Sequence, residues 1–232
     1  MAPILLSLVV AAVATAIDVA LGLPVAYGLA RGRLPGRRAV EAVLMAPLVL
    51  PPTVTGFLLL VVLGPRGLLG QPIRLLTGWS VPFSPAAAVI ASAVVAFPLF
   101  LRAARGALEA VPEAQLQNAR ALGLGRWRRA VRVALPLASR GLWAGTALAF
   151  GRAFGEFGAT LMLAGDIPGR TQTLALAVFD AAAAGDDSRA GWLCAGMAAL
   201  ALGLLWIATS LEGSSGRRSQ RAALGFREGR PW

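Results

Sequence analysis

The sequence predicts an all-α integral membrane protein with about five transmembrane helices. Hydrophobic residues make up 57% of the 232-residue chain, and charged residues only 14%. A soluble domain carries about 25% charged residues, so this chain has too few to cover a globule in water. The apolar residues also come in long runs, with the charges gathered between them. Lipid is therefore the predicted solvent for most of the surface.

Each predicted span is an apolar run close to the roughly 20 residues that a bilayer-crossing helix needs. Arginines follow the first run and no positive charge precedes it, so we interpret it as a helix rather than as a cleaved signal peptide. We expect one transmembrane domain over 1–211 and a disordered polar tail over 212–232. The five runs cover about 4–29, 41–63, 84–104, 141–163 and 190–210.

The arginines predict how these helices are oriented. With the N-terminus outside, 17 of the 22 basic residues lie on the cytoplasmic side, in clusters at 31–38, 102–140 and 217–230, and four lie on the outer side. Cytoplasmic loops of membrane proteins carry an excess of Lys and Arg. We therefore expect an outside N-terminus and a cytoplasmic C-terminus. Arginines at the ends of apolar runs fit membrane topology better than they fit a nucleic-acid partner.

Residue types that the chain lacks exclude several kinds of chemistry. The chain contains no histidine and no lysine, so it has neither an acid–base histidine nor the lysine of a phosphate-binding P-loop. Its single cysteine, Cys194, allows no intramolecular disulfide and no Cys/His metal site. We predict no catalytic residue, no metal ligand and no cofactor-binding residue on this chain.

The third and fourth predicted spans are joined by a basic loop, 105–140, that is patterned as two short helices. Pro112 suits the start of the first helix and Gly123 its end. In the second helix apolar residues recur at helical spacing, and Pro136 is expected to end it. The pattern alone leaves two interpretations open: a helix on anionic lipid, or a docking helix for a partner protein. The apolar residues are Trp127, Ala130, Val131, Ala134 and Leu135.

The spacing in this loop resembles the cytoplasmic coupling motif of ABC importer permeases, which runs Glu-Ala-Ala, three residues, Gly, nine residues, Ile, one residue, Leu-Pro. Glutamine in place of the motif's glutamate keeps the shape of that side chain and loses its charge. The resemblance implies that a separate ATPase subunit binds this coupling helix. The candidate coupling residues are Gln117, Asn118, Ala119, Gly123, Arg126, Trp127, Val133, Leu135 and Pro136.

Further segments are similar to the molybdate permease group of the same superfamily, among them LVLPPTVTGFLLL (48–60) and GRAFGEFGATLMLAGDIPGRTQTL (151–174). The resemblance implies a non-catalytic permease in the cytoplasmic membrane of a bacterium or archaeon. It also implies a homodimer, two ATPase subunits that hold ATP and Mg²⁺, and a periplasmic or lipid-anchored oxyanion-binding protein. A permease for tungstate, or for sulfate and thiosulfate, is the nearest alternative. A polytopic membrane enzyme and a lipid-binding structural membrane protein are alternatives of other classes.

Proline and glycine in the second predicted span indicate a kink. Pro51 and Pro52 have no backbone N–H, and Gly56 follows one turn later. In lipid, the carbonyls freed by proline need shelter in protein or in a water-filled cavity. We interpret these three residues as candidates for the translocation path; a static kink buried in the bundle is the alternative.

Two charged residues in the fourth predicted span form a second set of path candidates. Arg152 and Glu156 are four residues apart, so on a continuous helix they share a face. We expect them to pair with each other or across a dimer. Either Arg152 lowers the barrier to a dianion, or the pair only holds the bundle together. Phe157 is a candidate constriction, and the sequence names no partner for Asp18 in the first span.

The outer loop 165–189 is predicted to hold a re-entrant or interfacial helix over 171–185, because this Ala-rich piece is too short to span a bilayer. The loop also carries four aspartates. They indicate either contact with a binding protein or a merely solvated loop. They are Asp166, Asp180, Asp186 and Asp187.

Overall fold

A computed structural model describes residues 2–32, 36–203 and 206, and these residues form helices and connecting loops without a strand. This confirms the all-α fold. The helices are α1 (Pro3–Arg31), α2 (Arg37–Val49), α3 (Pro52–Leu63), α4 (Gly70–Thr77), α5 (Pro85–Glu109), α6 (Glu113–Ala121), α7 (Arg126–Arg129), α8 (Leu135–Phe154), α9 (Gly158–Ala164) and α10 (Leu174–Ala183). A π-helical turn, Ala130–Ala134, joins α7 to α8, and a last helix, α11, covers 187–203.

The helices α1 and α5 pack side by side and run parallel. Gly22 of α1 faces Phe97 and Phe100 of α5, and a Cβ at Gly22 would lie 2.6 Å from the Phe100 ring. Nine residues further along α1, the guanidinium of Arg31 donates a hydrogen bond to the carbonyl of Leu108. The contacts therefore move towards the C-terminus on both helices, which shows that α1 and α5 are parallel. The missing side chain at Gly22 is what lets the phenylalanine rings approach α1.

The helix α8 packs against α5 in the antiparallel direction. A Cβ at Gly141 would lie 2.5 Å from the Cβ of Ala107, and one at Gly145 would lie 2.9 Å from the Cβ of Ala103. Small residues on both helices allow this close approach, as is common between membrane helices. The helices α1, α5 and α8 therefore form the centre of the bundle.

The two ends of the bundle carry different elements. At the start of α10, the N–H of Leu174 donates to Ser7 Oγ in the first turns of α1, at 2.7 Å. We call this the α10 end. Arg31 closes α1 at the opposite end, beside α6, and we call that the α6 end. The helix α10 lies within the segment for which a re-entrant or interfacial helix is predicted. The helix α4 was not predicted.

The predicted spans need correction where helices are interrupted. Within the described residues, three helices are long and apolar enough to cross a membrane, Pro3–Arg31, Pro85–Glu109 and Arg126–Phe154, and α2 with α3 passes the same test as a pair. That pair is bent by 118°, so the second span is broken rather than kinked. The fourth predicted span is also interrupted, because α8 ends at Phe154 and α9 starts at Gly158.

The fifth predicted span, 190–210, is described only through residue 203 and at residue 206, where it is helical. The rest of that span and the tail 212–232 lie outside the described residues.

Pro136 does not end a helix, contrary to the prediction. It is the second residue of α8, and the helical path continues from Arg126 to Phe154. A proline ring clashes with the carbonyl four residues earlier in a regular α-helix. Here the preceding turn is a π-helix, in which the N–H of Leu135 donates to the carbonyl of Ala130. The wider turn makes room for the proline ring, so the helix continues.

Candidate functional site

The break between α2 and α3 is formed by the two prolines. The N–H of Leu50 donates to the carbonyl of Ala46 at 3.0 Å and closes α2. Pro51 has an extended ψ of 136°, and Pro52 is the first residue of α3. Neither proline has an N–H with which to continue the helical ladder. The sequence locates this interruption correctly. The observed feature is a 118° bend between two separate helices, whereas a kink within one helix was predicted.

The break between α8 and α9 is held by Glu156. Its Oε1 accepts a hydrogen bond from the N–H of Ala159 in the first turn of α9, at 2.7 Å. Its Oε2 lies 2.7 Å from Nη1 of Arg152, in the last turn of α8. The side chain of Glu156 is 1% exposed and that of Arg152 is 29% exposed. A carboxylate at a helix N-terminus satisfies free N–H groups and the helix dipole.

The predicted pairing of Arg152 with Glu156 is confirmed, but the helical face that they were expected to share is wrong. The helix α8 ends at Phe154, two residues before Glu156. The pair therefore bridges the end of one helix and the start of the next. The ion pair thus holds two helix ends together and does not stabilise a single helix.

The two breaks lie against each other. A Cβ on Gly158, the first residue of α9, would lie 3.1 Å from the Cβ of Pro52, the first residue of α3. One turn later, a Cβ on Gly56 would lie 2.7 Å from the Cα of Ala159. The helices α3 and α9 therefore start together and pack as a parallel pair. The structure thus brings together path candidates that the sequence places in separate spans.

Replacing Gly56 by alanine is expected to push α3 away from α9. The new Cβ would lie 2.7 Å from the Cα of Ala159 and 2.8 Å from its carbonyl oxygen. These are backbone atoms, which cannot rotate away, and such overpacking costs about 1–3 kcal/mol. We expect a lower thermal unfolding midpoint for purified Gly56→Ala in detergent. Gly151→Ala is the matched control, because nothing lies within 4 Å of a Cβ there. An equal midpoint for both variants would contradict the close contact.

Phe157 links the break to α10. Its ring centroid lies 5.1 Å from that of Phe179, with the planes tilted by 50°, a favourable aromatic geometry. The contact places α10 beside the start of α9. The proposed constriction at Phe157 stays a prediction, as do the path-lining roles of Pro51, Pro52 and Gly56.

Asp18 is buried in α1, as its place in an apolar run requires. Its Oδ2 has no hydrogen-bond partner among the residues that the structure describes. That oxygen is therefore buried without a partner in the described part of this chain.

Residues 113–129, which we call the α6–α7 segment, follow α5 at the α6 end. Leu116 and Ala119 of α6 are buried. Gly123 has a φ of +77°, a conformation that favours glycine. The N–H of Gly123 donates to the carbonyl of Arg120 at 2.9 Å, and that of Leu124 to the carbonyl of Ala119 at 3.1 Å. This is a Schellman motif, so the predicted helix stop at Gly123 is confirmed.

The remaining coupling candidates are divided between exposed and packed positions. Gln117, Asn118, Arg126, Trp127 and Pro136 are exposed, whereas Val133 and Leu135 are half-buried. Only the exposed residues of the motif are therefore accessible to another protein, because the packed ones face the rest of this chain.

The single apolar face predicted for the second helix is wrong. Ala130 and Ala134 are buried, while Trp127 is 79% exposed and Val131 is 41% exposed. A π-helical turn advances less per residue than an α-helix, so helical spacing does not keep these residues on one side. The neighbouring Leu122 is 81% exposed. The result is a partly apolar surface on the α6–α7 segment that this chain leaves uncovered.

A group of ion pairs at the α6 end was not anticipated. It joins α1, α2, α5 and α6, and it includes every acidic side chain that the sequence places in the α2, α5 and α6 helices. Only one pair, Arg105–Glu109, has the four-residue spacing that a sequence can show; the others join distant segments. The pairs are Arg31 with Glu113, Arg37 with Glu109, and Arg105 with both Glu41 and Glu109.

At the α10 end, the loop after α9 is folded around buried polar groups. Thr171 is fully buried, and its hydroxyl donates to the carbonyl of Gly165 at 3.0 Å. Burial raises the pKa of Asp166; a hydrogen bond with Gln172 opposes this rise, and the charge of Asp180 adds to it. Asp180 is therefore close enough to Asp166 to raise its pKa. Contact between the loop's aspartates and a binding protein stays a prediction.

The family model and the similar sequences all indicate the same protein family. The sequence matches the family described as "Binding-protein-dependent transport system inner membrane component" over residues 18–221. It is 42% identical over 219 residues to the molybdenum transport system permease protein ModB of Escherichia coli (strain K12), covering 94% of this chain and 96% of that protein. It is 43% identical over 189 residues to the putative molybdenum transport system permease protein YvgM of Bacillus subtilis (strain 168), covering 81% and 83%.

The fold is similar to that of a solved transporter. A chain of the MetNI methionine ABC transporter in an inward facing conformation superimposes with a TM-score of 0.72, covering 91% of this chain and 94% of that chain. The two sequences are 18% identical, so the likeness concerns the fold alone.

Proposed function

The chain belongs to the family of binding-protein-dependent transport system inner membrane components, and we propose that it is the membrane subunit of an ABC importer for molybdate. A member of this family is a multi-pass protein of the cytoplasmic membrane and a non-catalytic transport subunit. The assignment of molybdate as the substrate rests on the sequence identity to molybdenum permeases along nearly the whole chain. Tungstate, sulfate and thiosulfate are the competing cargoes, since all are oxyanions of similar shape.

We assign the energy supply to another chain. An ABC importer permease works with a partner ATPase and a substrate-binding protein. This chain has no lysine, and a P-loop needs one to hold phosphate, so ATP and Mg²⁺ belong on the ATPase. Two copies of the chain form a homodimer and bind two ATPase subunits on the cytoplasmic side. A periplasmic or lipid-anchored protein delivers the anion at the opposite face.

The α6–α7 segment is the proposed ATPase-docking site. Leu122 and Trp127 are exposed on it, and exposed apolar patches mark sites of protein association. The arginine excess supports a cytoplasmic position for the same end of the bundle. Docking, rather than lipid contact alone, is favoured because the candidate coupling residues Gln117, Asn118 and Arg126 are exposed on the same segment.

The meeting breaks form the proposed moving part of the path. The short helices α3 and α9 pack as one unit through Gly56 and Gly158. Each is joined to a longer helix by only a few residues, and such breaks at helix ends absorb hinge motion. Movement of the α6–α7 segment, passed through the long helices, would swing this unit and open the path.

Arg152 is placed to assist an anion. Its side chain is partly exposed, whereas its partner Glu156 is buried. The guanidinium therefore lowers the electrostatic barrier to a dianion, and the carboxylate beside it prevents tight trapping. A purely structural pair is the alternative. Lower uptake by the double variant Arg152→Gln with Glu156→Gln, at an unfolding midpoint close to that of the wild type, would favour the electrostatic role.

Uptake by the complete transporter tests the substrate. The permease is reconstituted in liposomes with its ATPase and binding protein, and ATP-dependent uptake of molybdate, tungstate and sulfate is measured side by side. We expect molybdate to enter fastest at equal subsaturating concentrations. Equal uptake of tungstate, or faster uptake of sulfate, would contradict the assignment to molybdate. A reaction without ATP controls for leakage.

A further inference from the structure

Arg31 joins three elements at the α6 end. Its Nη1 donates to Oε2 of Glu113, the first residue of α6, at 2.9 Å. Its Nη2 donates to the carbonyl of Leu108 in the last turn of α5 at 2.6 Å, and to that of Val111 in the following linker at 2.5 Å. One side chain at the end of α1 thus bonds to the end of α5, to the linker and to the start of α6.

The bonds to the two carbonyls are the firmer part of this junction. The side chain of Arg31 is 17% exposed and that of Glu113 is 64% exposed, and an exposed ion pair contributes little. The last four carbonyls of a helix have no regular partner within it, and that of Leu108 otherwise accepts a long bond from the N–H of Val111, at 3.3 Å. Hydrogen bonds from a charged donor are roughly twice as strong as neutral ones. Arg31 therefore fixes where the linker and α6 sit relative to α1.

Apolar packing alone does not fix that position. Leu29, Leu108, Val111 and Leu116 belong to one buried cluster that continues from the long helices into α6. Such contacts are non-directional, so they hold α6 against the bundle without setting its angle. The three hydrogen bonds of Arg31 supply the direction. The nearby Arg37 does not. Within the described part of the chain its ion-pair partner is Glu109, at 3.2 Å, and both side chains are more than a third exposed.

We propose that Arg31 is the positioning residue that transmits movement of the α6–α7 segment to α1 during transport. The inference rests on the proposed function, in which an ATPase moves that segment. Because Arg31 bonds to the carbonyl of Val111, two residues before α6 begins, a rotation of α6 that moves the linker pulls on the end of α1. Without those bonds, the ATPase still binds and hydrolyses ATP, but α1 follows less closely and fewer anions enter for each ATP.

The test measures the ratio of molybdate imported to ATP hydrolysed in reconstituted transporter. Arg31→Gln is expected to lower this ratio about tenfold, as loss of charged hydrogen bonds implies, with ATPase activity and subunit assembly retained. Arg31→Lys keeps the charge but lacks the planar fork of donors, so we expect an intermediate ratio. Arg37→Gln is the matched control and should keep the wild-type ratio. Glu113→Gln should stay close to wild type, because the carbonyl bonds remain.

A charge exchange separates this role from that of a simple ion pair. In Arg31→Glu combined with Glu113→Arg, the ion pair can re-form, but glutamate cannot donate to the carbonyls of Leu108 and Val111. We expect the exchanged variant to remain uncoupled. A restored ratio in that variant, or a wild-type ratio in Arg31→Gln, would overturn the proposal. If Arg31→Gln fails to assemble, Arg31→Lys decides, and full coupling in an assembled Arg31→Lys would count against it.

The outcome can be told apart from a failure of the proposed function. If the wild-type complex imports tungstate or sulfate instead of molybdate, the same ratio is measured with that anion. If the wild-type complex imports no anion with ATP, the proposed function fails, and the transmission role of Arg31 fails with it.

Discussion

Trp127→Ala is expected to release the ATPase from the permease. The indole is 79% exposed in this chain, and buried tryptophans at interfaces often contribute 2 kcal/mol or more, which corresponds to about a 30-fold weaker Kd. Binding of the detergent-solubilised permease to its ATPase measures the loss directly. ATP-driven uptake should fall with it, while the amount of folded permease in the membrane should not change.

The control for Trp127→Ala is a tryptophan that is also exposed but lies in a spanning helix. Trp143 of α8 meets that requirement, because its exposed ring faces lipid in the proposed arrangement. Trp143→Ala should bind the ATPase as the wild type does. Gly123→Arg should resemble Trp127→Ala, because a φ of +77° disfavours any side chain there. Unchanged ATPase binding in both Trp127→Ala and Gly123→Arg would refute docking at this segment.

Glu156→Ala is expected to be the most damaging change inside the bundle. It leaves the charge of Arg152 without its partner, and it removes the acceptor for the N–H of Ala159. Breaking a buried pair by removing one partner costs about 3–5 kcal/mol, and the partial exposure of Arg152 places the expected cost at the lower end. We expect a sharply lower thermal unfolding midpoint in detergent and little transport.

Two further variants separate the charge of Glu156 from its hydrogen bond. Glu156→Gln keeps an acceptor for Ala159 and loses the charge, so its unfolding midpoint should lie between those of the wild type and Glu156→Ala. Adding Arg152→Gln to Glu156→Gln removes the unpaired charge, and the double variant should be more stable than Glu156→Gln alone. If Arg152→Gln further destabilises Glu156→Gln instead, the two side chains are not coupled as the structure indicates.

The long helices could be predicted from the sequence because their signals are local. Apolar runs of bilayer length locate α1, α5 and most of α8, and the prolines at 51 and 52 mark a break because they lack an N–H. The size of the 118° bend could not be predicted. It depends on α3 packing against α9 through Gly56 and Gly158, which lie far apart in the sequence.

The break at Glu156 was hidden for a different reason. Its residues continue an apolar run, so length and hydropathy indicate one uninterrupted span. What ends α8 and starts α9 is a carboxylate that accepts from Ala159 and pairs with Arg152. Four-residue spacing revealed the pair, but the same spacing suggested a continuous helix.

The α6–α7 segment shows the same division. The stop at Gly123 was predictable because glycine alone readily adopts a positive φ at a helix end. The exposed side of the next helix was not, because the π-helical turn before Pro136 shifts the register. The junction at Arg31 was also hidden, since its partners Leu108, Val111 and Glu113 are remote in sequence.

Vesicle labelling tests most directly whether the α6–α7 segment faces the cytoplasm and receives the ATPase. The only cysteine is Cys194, so Leu122→Cys in a Cys194→Ser chain gives one reactive thiol at an exposed position. A membrane-impermeant maleimide is applied to inside-out and right-side-out vesicles, with and without bound ATPase. We predict labelling only in inside-out vesicles, and protection when the ATPase is bound. Labelling in right-side-out vesicles, or labelling that the ATPase leaves unchanged, would contradict the proposed arrangement.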